Sequence, residues 1–303
     1  MTEPVRGVGA RLFVALQHVL PQHLLSGLMY RLARVRWRLL KDLLIATFLR
    51  FYRIDMTEAA EPNAKAYVDF NAFFTRALRP DARPLDPDLL AVVSPVDGTL
   101  SQSGRISAGR VIQAKGRDFT VEELLGGDPE RARAFNGGTF ATIYLAPSDY
   151  HRIHMPLGGD LAWMHHIPGR LFSVNTVTAD LVPRLFARNE RVACRFETEL
   201  GAMAMVLVGA IFVGGIETVW GGEVTPVRAR SRLSNAGSVQ GSAGGSVRLE
   251  RGAEMGRFNL GSTVVLLFEP GRVQLDETLV PGSKVRLGQR LGGTAAASEH
   301  VAT

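Results

Sequence analysis

The chain has 303 residues, of which 46% are hydrophobic and 21% are charged, a balance typical of folded globular proteins and not of disordered ones. Its one cysteine, Cys194, excludes a disulfide framework and a cysteine-ligated zinc site within a single chain. Residues 1–55 carry the whole net charge of +6, because they hold nine arginine or lysine side chains and three acidic ones.

Residues 11–51 show the apolar periodicity of amphipathic helices. No apolar run reaches the roughly 18–20 residues that a membrane-spanning helix needs. The apolar core is also too broken for a signal peptide, and no small-residue cleavage site follows it. The apolar positions form two faces, before and after Pro21: Leu12, Phe13, Leu16, Val19 and Leu20, then Leu24, Leu25, Leu28, Met29 and Leu32.

Arginine-rich helices with one apolar face typically lie in the headgroup region of an anionic membrane surface. We therefore expect residues 1–60 to form an amphipathic helical segment that associates with such a surface. A helical appendage packed on the protein's own core is the alternative. The arginines are interleaved with leucines and no nucleic-acid-binding motif accompanies them, so no nucleic acid partner is expected.

From about residue 92 the sequence consists of short apolar runs closed by glycine or proline, which is typical of β-strands. The run TVVLLF at 263–268 predicts a buried strand. Helical periodicity is confined to short pieces near 120–135 and 177–188. The predicted fold class is α+β, with a β-rich domain at 61–291 after the helical segment. A loop at 233–246 and a frayed tail at 292–303 are expected to be flexible.

Three stretches concentrate reactive side chains: Asp97 in SPVDGTL, His151 and His154 in PSDYHRIHMP, and Ser262 after Gly261 in LGST. A serine becomes a nucleophile when a histidine accepts its proton and an aspartate orients that histidine. The three residue types needed are present, although there is no Gly-x-Ser-x-Gly nucleophile elbow. The residues alone leave this triad open beside an ordinary turn at each stretch.

Two further interpretations concern the same residues. A metal pair at His151 and His154 lacks a cysteine or a clear acidic third ligand, so we expect acid–base roles there and no metal. The Ser262 hydroxyl could instead attack the carbonyl of Gly261, which carries no side chain to block approach, and convert that peptide bond into an ester.

Five blocks together resemble motifs of the bacterial phosphatidylserine decarboxylases, the pyruvoyl-dependent family, in that family's order. The resemblance covers roughly residues 60–290, and the arginine-rich N-terminus is similar less specifically. The blocks are SPVDG at 94–98, YHRIHMP at 150–156, PGRLFSVN at 168–175, GGEVTP at 221–226 and EMGRFNLGST at 254–263.

The resemblance implies that Asp97, His154 and Ser262 form a self-processing triad. In the family, the chain is cut between the residues matching Gly261 and Ser262, which here gives a large chain 1–261 and a small chain 262–303. The serine becomes a covalent pyruvoyl group.

The family's activity, decarboxylation of phosphatidylserine to phosphatidylethanolamine and CO2 in phospholipid biosynthesis, is then expected through a Schiff base with the pyruvoyl group. His151 is implied to serve the decarboxylation. Leu171 and Phe172 are expected either to line the path of the lipid or to pack in the core. No pyridoxal phosphate is expected, because the four lysines lie outside the matching blocks.

The implied partners are phosphatidylserine, an anionic membrane surface, the protein's own second fragment and a second copy in a homodimer. The expected location is peripheral, on the cytoplasmic face of the cell membrane. Two alternatives stay open: a Ser-His-Asp lipid hydrolase in which Ser262 stays intact, and a non-enzymatic membrane-associated β-domain.

Overall fold

The computed structural model of this chain describes residues 7–212, 215–226, 247–259 and 261–295. Short 3₁₀ turns at Met56–Glu58 and Ala64–Ala66 join the N-terminal helices to the rest. The α-helices of the described residues are α1 (Val8–Val19), α2 (Gln22–Ala33), α3 (Arg38–Phe51), α4 (Phe70–Phe74), α5 (Val121–Leu124), α6 (Pro129–Arg133), α7 (Thr176–Leu181) and α8 (Leu185–Arg188).

The strands follow one another mostly through short turns. They are β1 (Val92–Val93), β2 (Gly98–Arg105), β3 (Arg110–Ala114), β4 (Arg117–Thr120), β5 (Thr139–Leu145), β6 (Arg152–His154), β7 (Gly159–Ile167), β8 (Arg191–Thr198), β9 (Gly201–Val208), β10 (Ile216–Thr218), β11 (Gly222–Thr225), β12 (Arg248–Leu249), β13 (Glu254–Phe258), β14 (Ser262–Phe268), β15 (Val273–Leu275), β16 (Lys284–Val285) and β17 (Arg290–Thr294).

An antiparallel sheet of eight strands forms the centre of the molecule, in the order β12-β7-β8-β9-β14-β5-β2-β16. A four-stranded sheet, β11-β10-β13-β6, packs near one of its faces, and helices α5 to α8 contribute to the other. A small sheet, β1-β17-β15, and the hairpin β3-β4 complete the set. The α+β, strand-rich class predicted from the sequence is confirmed.

Strand β14 lies in the middle of the large sheet and is buried on both faces. Side chains alternate along a strand, so Val264 and Leu266 join the apolar cluster shared with the four-stranded sheet, whereas Val265 and Leu267 join the cluster shared with the helices. Burial of each such side chain stabilises the fold by about 1.5–3 kcal/mol. The strand predicted at 263–268 is therefore confirmed, and its unbroken run of apolar side chains from Val264 to Phe268 follows from its two-sided burial.

The helices predicted within 11–51 are observed as α1, α2 and α3. Helix α3 packs on α4, where Ile45 contacts the aromatic cluster of Phe70, Phe73 and Phe74. Within the described residues, no helix combines the length and the apolar content needed to cross a membrane. The boundary at residue 60 stays a prediction, and the packing of α3 on α4 ties the two sides of that boundary together.

The tail predicted at 292–303 begins too early. Strand β17 continues to Thr294 and pairs with both β1 and β15. The glycines at 292 and 293 suggested flexibility, but a side chain at Gly292 would place its Cβ 2.3 Å from the carbonyl oxygen of Gln274. Glycine is needed there for close strand packing. Residues 296–303 and the loop predicted at 233–246 lie outside the described residues.

Candidate active site

Asp97 and Ser262 lie at the same end of three neighbouring strands of the large sheet. Ser262 begins β14 and pairs with Leu145, the last residue of β5. Asp97 directly precedes β2, and Thr99 of β2 pairs with Tyr144 of β5. Since β14, β5 and β2 are adjacent in the sheet, the two predicted site residues lie at the same end of three consecutive strands.

The two histidines approach the same end of these strands from the four-stranded sheet. His154 ends β6 and pairs with Glu254 of β13. The backbone N–H of Phe258 at the end of β13 donates to the carbonyl of His151 at 3.0 Å. The chain then passes from β13 into β14 within four residues, so Ser262 starts where the two sheets meet.

The hydroxyl of Ser262 is buried and has no hydrogen-bond partner among the described residues. Its side chain shares a strand face with Val264 and Leu266, so it lies towards the four-stranded sheet that carries the histidines. An unpaired buried hydroxyl costs roughly 1–3 kcal/mol, and a catalytic role is one of the reasons for which native proteins keep such a group. A reactive serine fits this environment.

Gly261 is held in no special backbone conformation. Its φ lies outside the left-handed region, and a Cβ added to it would meet nothing within 4 Å. The uncleaved chain described here therefore gives no steric reason for glycine at this position.

His154 is fixed in one tautomer by two contacts. Its Nδ1 lies 2.8 Å from the carbonyl oxygen of Gly252 and must donate to it, so Nε2 carries the lone pair. The Tyr150 hydroxyl lies 3.3 Å from that Nε2 and donates to it. Burial raises the pKa of Tyr150 to about 12, so this donor stays protonated. Burial also lowers the pKa of His154, which keeps the ring neutral and able to accept a proton.

His151 is more deeply buried than His154. Its Nδ1 donates to the carbonyl of Asp149 at 2.7 Å, and its ring packs on Phe74 with centroids 4.2 Å apart. Its Nε2 is buried without a partner among the described residues. Burial lowers the pKa of His151 to about 3, so the ring is neutral and presents an unprotonated Nε2. Two imidazoles that can each accept a proton therefore lie near this end of the strands.

Asp97 is not hydrogen-bonded to His154 among the described residues. Its carboxylate instead accepts three hydrogen bonds of 2.7–3.1 Å from the guanidinium of Arg83 and one of 2.8 Å from the backbone N–H of Leu287. Its negative charge nevertheless acts on both histidines and raises the pKa of each against the effect of burial. In the structure, the carbonyl of Gly252 orients the ring of His154, whereas Asp97 acts on His154 through its negative charge.

Sequence reasoning missed three parts of this arrangement: Arg83, Tyr150 and the carbonyl of Gly252. Tyr150 was inside the histidine block and could have been found as a hydroxyl four residues before His154. Arg83 lies in a proline-rich stretch, RPDARPLDPD at 79–88, that is outside the five matching blocks, and no local signal pairs it with Asp97. Among the described residues, no group of three or more histidine, cysteine, aspartate or glutamate side chains could hold a metal ion.

Leu171 and Phe172, the predicted lipid contacts, are both buried. Phe172 belongs to the core cluster on the helical face of the large sheet and packs on His18 of α1 with ring centroids 4.8 Å apart. The backbone N–H of Leu171 donates to Gln22 of α2. Both residues lie beneath the N-terminal helices, so contact with a lipid stays a prediction that would require those helices to shift.

We expect acid to destabilise the fold through His151. The folded protein keeps this ring neutral to about pH 3, whereas an exposed histidine protonates near pH 6.5. Between those values the unfolded state binds the extra proton, so the free energy of unfolding falls as the pH falls, by at most about 1.4 kcal/mol per pH unit. Denaturant titrations of uncleaved Ser262→Ala protein should show a loss of about 2 kcal/mol from pH 6.5 to pH 5 from this group.

The substitution His151→Gln in the same background should remove that part of the pH dependence. His23→Gln, at an exposed histidine of α2, is the matched control. A pH slope that is the same with and without His151 would contradict a buried neutral ring at this position.

Comparison with known proteins places the chain in one family. A family model described as phosphatidylserine decarboxylase matches residues 70–293, and a second, described as PSD, matches residues 12–53. A phosphatidylserine decarboxylase proenzyme of Stutzerimonas stutzeri is 55% identical over 294 residues, covering 96% of this chain and 98% of the relative. Proenzymes of the same description from Ectopseudomonas mendocina and Bordetella pertussis are 54% and 55% identical, each over 93% of this chain and over 98% and 94% of their own lengths. The chain belongs to the phosphatidylserine decarboxylase family.

Proposed function

We propose that this protein is a proenzyme that cuts itself between Gly261 and Ser262 and then decarboxylates phosphatidylserine to phosphatidylethanolamine and CO2. Family membership supports the reaction and its place in phospholipid biosynthesis. The buried, unpartnered Ser262 hydroxyl at the junction of the two sheets supports the self-cleavage. The alternative of a lipid hydrolase gains nothing from these relatives, each of which is described as a phosphatidylserine decarboxylase proenzyme.

The cleavage follows from ordinary nucleophile chemistry. His154 takes the proton of the Ser262 hydroxyl after its Nε2 exchanges the Tyr150 donor for that hydroxyl. The oxygen attacks the Gly261 carbonyl, the peptide C–N bond breaks, and an ester replaces it. Loss of the α-proton of residue 262 then expels the Gly261 carboxylate. Addition of water and loss of ammonia leave a ketone at the start of the small chain.

The two fragments remain associated without the peptide bond because strands of the small chain pair with strands of the large chain. Strand β14 keeps its ladders to β5 and β9, while β16 pairs with β2 and β17 pairs with β1. All seven residues of β14 are buried. This packing keeps residue 262 at the same end of β14 after the cut.

The surroundings of Ser262 fit a pyruvoyl group. The position is buried, its oxygen has no competing partner among the described residues, and its backbone is fixed by the ladder to β5. The group supplies an electron-accepting carbonyl for the electrons released when CO2 leaves. His151 has an unprotonated Nε2 in the same region and can accept a proton there or position the substrate amine.

The N-terminal segment supports docking on an anionic membrane surface. Helices α1 and α2 are hydrogen-bonded to the body through polar side chains: Gln17 accepts from the N–H of Ser173, Gln22 from that of Leu171, and Ser26 from that of Phe212. The apolar rows therefore face outwards. The exposed members are Val8, Leu12, Leu16 and Val19 on α1, Leu24, Leu28 and Leu32 on α2, and Leu39 and Leu43 on α3.

Exposed arginines accompany these rows, at positions 11, 31, 36, 38, 50 and 53. A surface that combines leucine rows with arginines suits the headgroup region of an anionic bilayer. We therefore place the protein peripherally on the cytoplasmic face of the cell membrane, where phosphatidylserine is presented. The proposal includes the homodimer that the family resemblance implies, and light scattering of the detergent-solubilised protein tests it.

The function is tested with purified protein and phosphatidylserine in mixed micelles. We expect release of CO2, formation of phosphatidylethanolamine, and two polypeptides whose masses correspond to 1–261 and to 262–303 with a pyruvoyl end. A single uncut chain that still produced phosphatidylethanolamine would contradict the pyruvoyl mechanism. Hydrolysis of the lipid without CO2 release would favour the hydrolase.

We expect the double substitution Leu12→Glu/Leu16→Glu to weaken membrane binding. Both leucines are exposed on α1, and glutamate keeps the helix while it removes apolar area and adds negative charge. Flotation with phosphatidylglycerol-containing vesicles should show binding at least about tenfold weaker, with self-cleavage unchanged. Leu89→Glu is the matched control, because Leu89 is equally exposed but lies outside the helical segment. Equal loss in both proteins would exclude α1 as the docking surface.

A further inference from the structure

Arg76 is a buried cation without a counterion. It follows α4 and is only 5% exposed, yet the described residues offer its side chain no hydrogen bond or ion pair, and its Nε is buried unpaired. Other guanidinium groups with buried nitrogens have ionic or hydrogen-bonding partners: Arg83 binds the carboxylates of Asp97 and Glu58, and Arg191 binds three backbone carbonyls. Arg195 also has a buried unpaired Nε, but its guanidinium forms an ion pair with Glu197. The guanidinium carbon of Arg76 lies 5.8 Å from the centroid of the Phe73 ring, a contact that supplies no negative charge. An unpaired buried charge costs several kcal/mol, so its retention calls for an anionic partner that the described residues do not supply.

The segment that carries Arg76 is fixed against the candidate active site. Phe74 packs on the ring of His151, and the carbonyl of Thr75 accepts a hydrogen bond of 2.8 Å from Arg152. The positive charge of Arg76 contributes to the lowered pKa of His151 and also acts on Tyr150. The segment that carries Arg76 therefore contacts His151, and the charge of Arg76 reaches both His151 and Tyr150.

The chemistry of the substrate supplies the missing partner. The phosphatidylserine head group carries a carboxylate and a phosphodiester beside its amine, and the amine is consumed by the reaction. A guanidinium presents a planar fork of N–H donors that matches either oxyanion. The carboxylates of Asp97 and Glu58 act on Arg76 through their charge. Both carboxylates form their ion pairs with Arg83, so they do not occupy the N–H donors of Arg76.

We propose that Arg76 binds an oxyanion of the phosphatidylserine head group and so positions the substrate beside His151 and residue 262. This inference rests on the proposed function. It makes Arg76 a substrate-binding residue in a stretch, FFTRALRP at 73–80, that is outside the five matching blocks. It also explains why a cation is kept in a buried region that contains an aromatic cluster.

The test compares Arg76→Gln and Arg76→Lys with the unaltered protein. Both variants should cut themselves, as measured by intact mass. For Arg76→Gln we expect the KM for phosphatidylserine to rise about 10- to 100-fold, and for Arg76→Lys we expect a smaller rise, because lysine keeps the charge but loses the fork. Arg79→Gln removes a half-exposed arginine from the same segment and should leave KM unchanged.

Calorimetry with short-chain phosphatidylethanolamine distinguishes the two oxyanions, since this product keeps the phosphodiester and lacks the carboxylate. A Kd raised by Arg76→Gln identifies the phosphodiester, whereas an unchanged Kd together with the raised KM identifies the carboxylate. Unchanged KM and Kd in a fully cut Arg76→Gln protein would overturn the proposal. Failure of both variants to cut themselves would also overturn it, because it would give Arg76 a structural role. Absence of decarboxylation by the unaltered protein would instead contradict the proposed function.

Discussion

Replacement of Ser262 by alanine should leave the protein as one uncut chain with no decarboxylase activity. The substitution removes the only atom able to form the ester with Gly261, and with it the source of the pyruvoyl group. It should not unfold the protein, because the hydroxyl is buried without a partner and its removal leaves no other polar group unsatisfied. Denaturing gel electrophoresis, intact mass and a CO2-release assay measure the result.

Thr142→Val is the matched control for this experiment. Thr142 lies on β5, beside β14, and its hydroxyl is also fully buried and unpartnered among the described residues. Its side chain lies on the opposite face of the sheet from that of Ser262, because its neighbours Ala141 and Ile143 belong to the cluster that Ser262 faces. Thr142→Val should cut and decarboxylate normally. Decarboxylase activity in Ser262→Ala protein would exclude Ser262 as the source of the pyruvoyl group.

Local patterns predicted the elements that depend on nearest neighbours along the chain. The run at 263–268 indicated a buried strand because every side chain in it is apolar or β-branched, and the structure buries each one. The N-terminal helices followed from a 3.6-residue periodicity. What the periodicity did not predict is that the polar residues Gln17 and Gln22 face the body and the leucines face outwards, since that choice depends on backbone N–H groups at 171 and 173.

The contacts that determine the site are long-range and carry no local signal. Arg83 binds Asp97 across a turn-rich stretch. The backbone N–H of Leu287, 190 residues further along the chain, donates to the same carboxylate. Arg76 could not have been distinguished from any surface arginine, because what sets it apart is that it is buried and that the described part of the folded chain gives it no counterion. Sequence motifs therefore identified the reacting groups, whereas the charges that surround them required the fold.

Those surrounding charges suggest separate roles for the two histidines, which single substitutions should resolve. His154→Gln should prevent self-cleavage, because glutamine cannot take the Ser262 proton, and general-base catalysis is worth about 10²- to 10⁴-fold in rate. Asp97→Asn should slow it as well, since the charge of Asp97 favours a protonated His154. Glu58→Gln is the control, because it removes the other carboxylate bound to Arg83 and should cut normally.

His151→Gln should behave in the opposite way: it should cut itself fully and decarboxylate about 10²-fold or more slowly. The buried Nε2 of His151 has no partner among the described residues in the uncleaved chain, so it is available for a step that follows cleavage. Time courses of cleavage by intact mass and of CO2 release from the purified two-chain protein measure the two steps separately. If His151→Gln stayed uncut while His154→Gln cut readily, the assigned roles of the two histidines would have to be exchanged. Normal turnover by cut His151→Gln protein would remove His151 from the decarboxylation altogether.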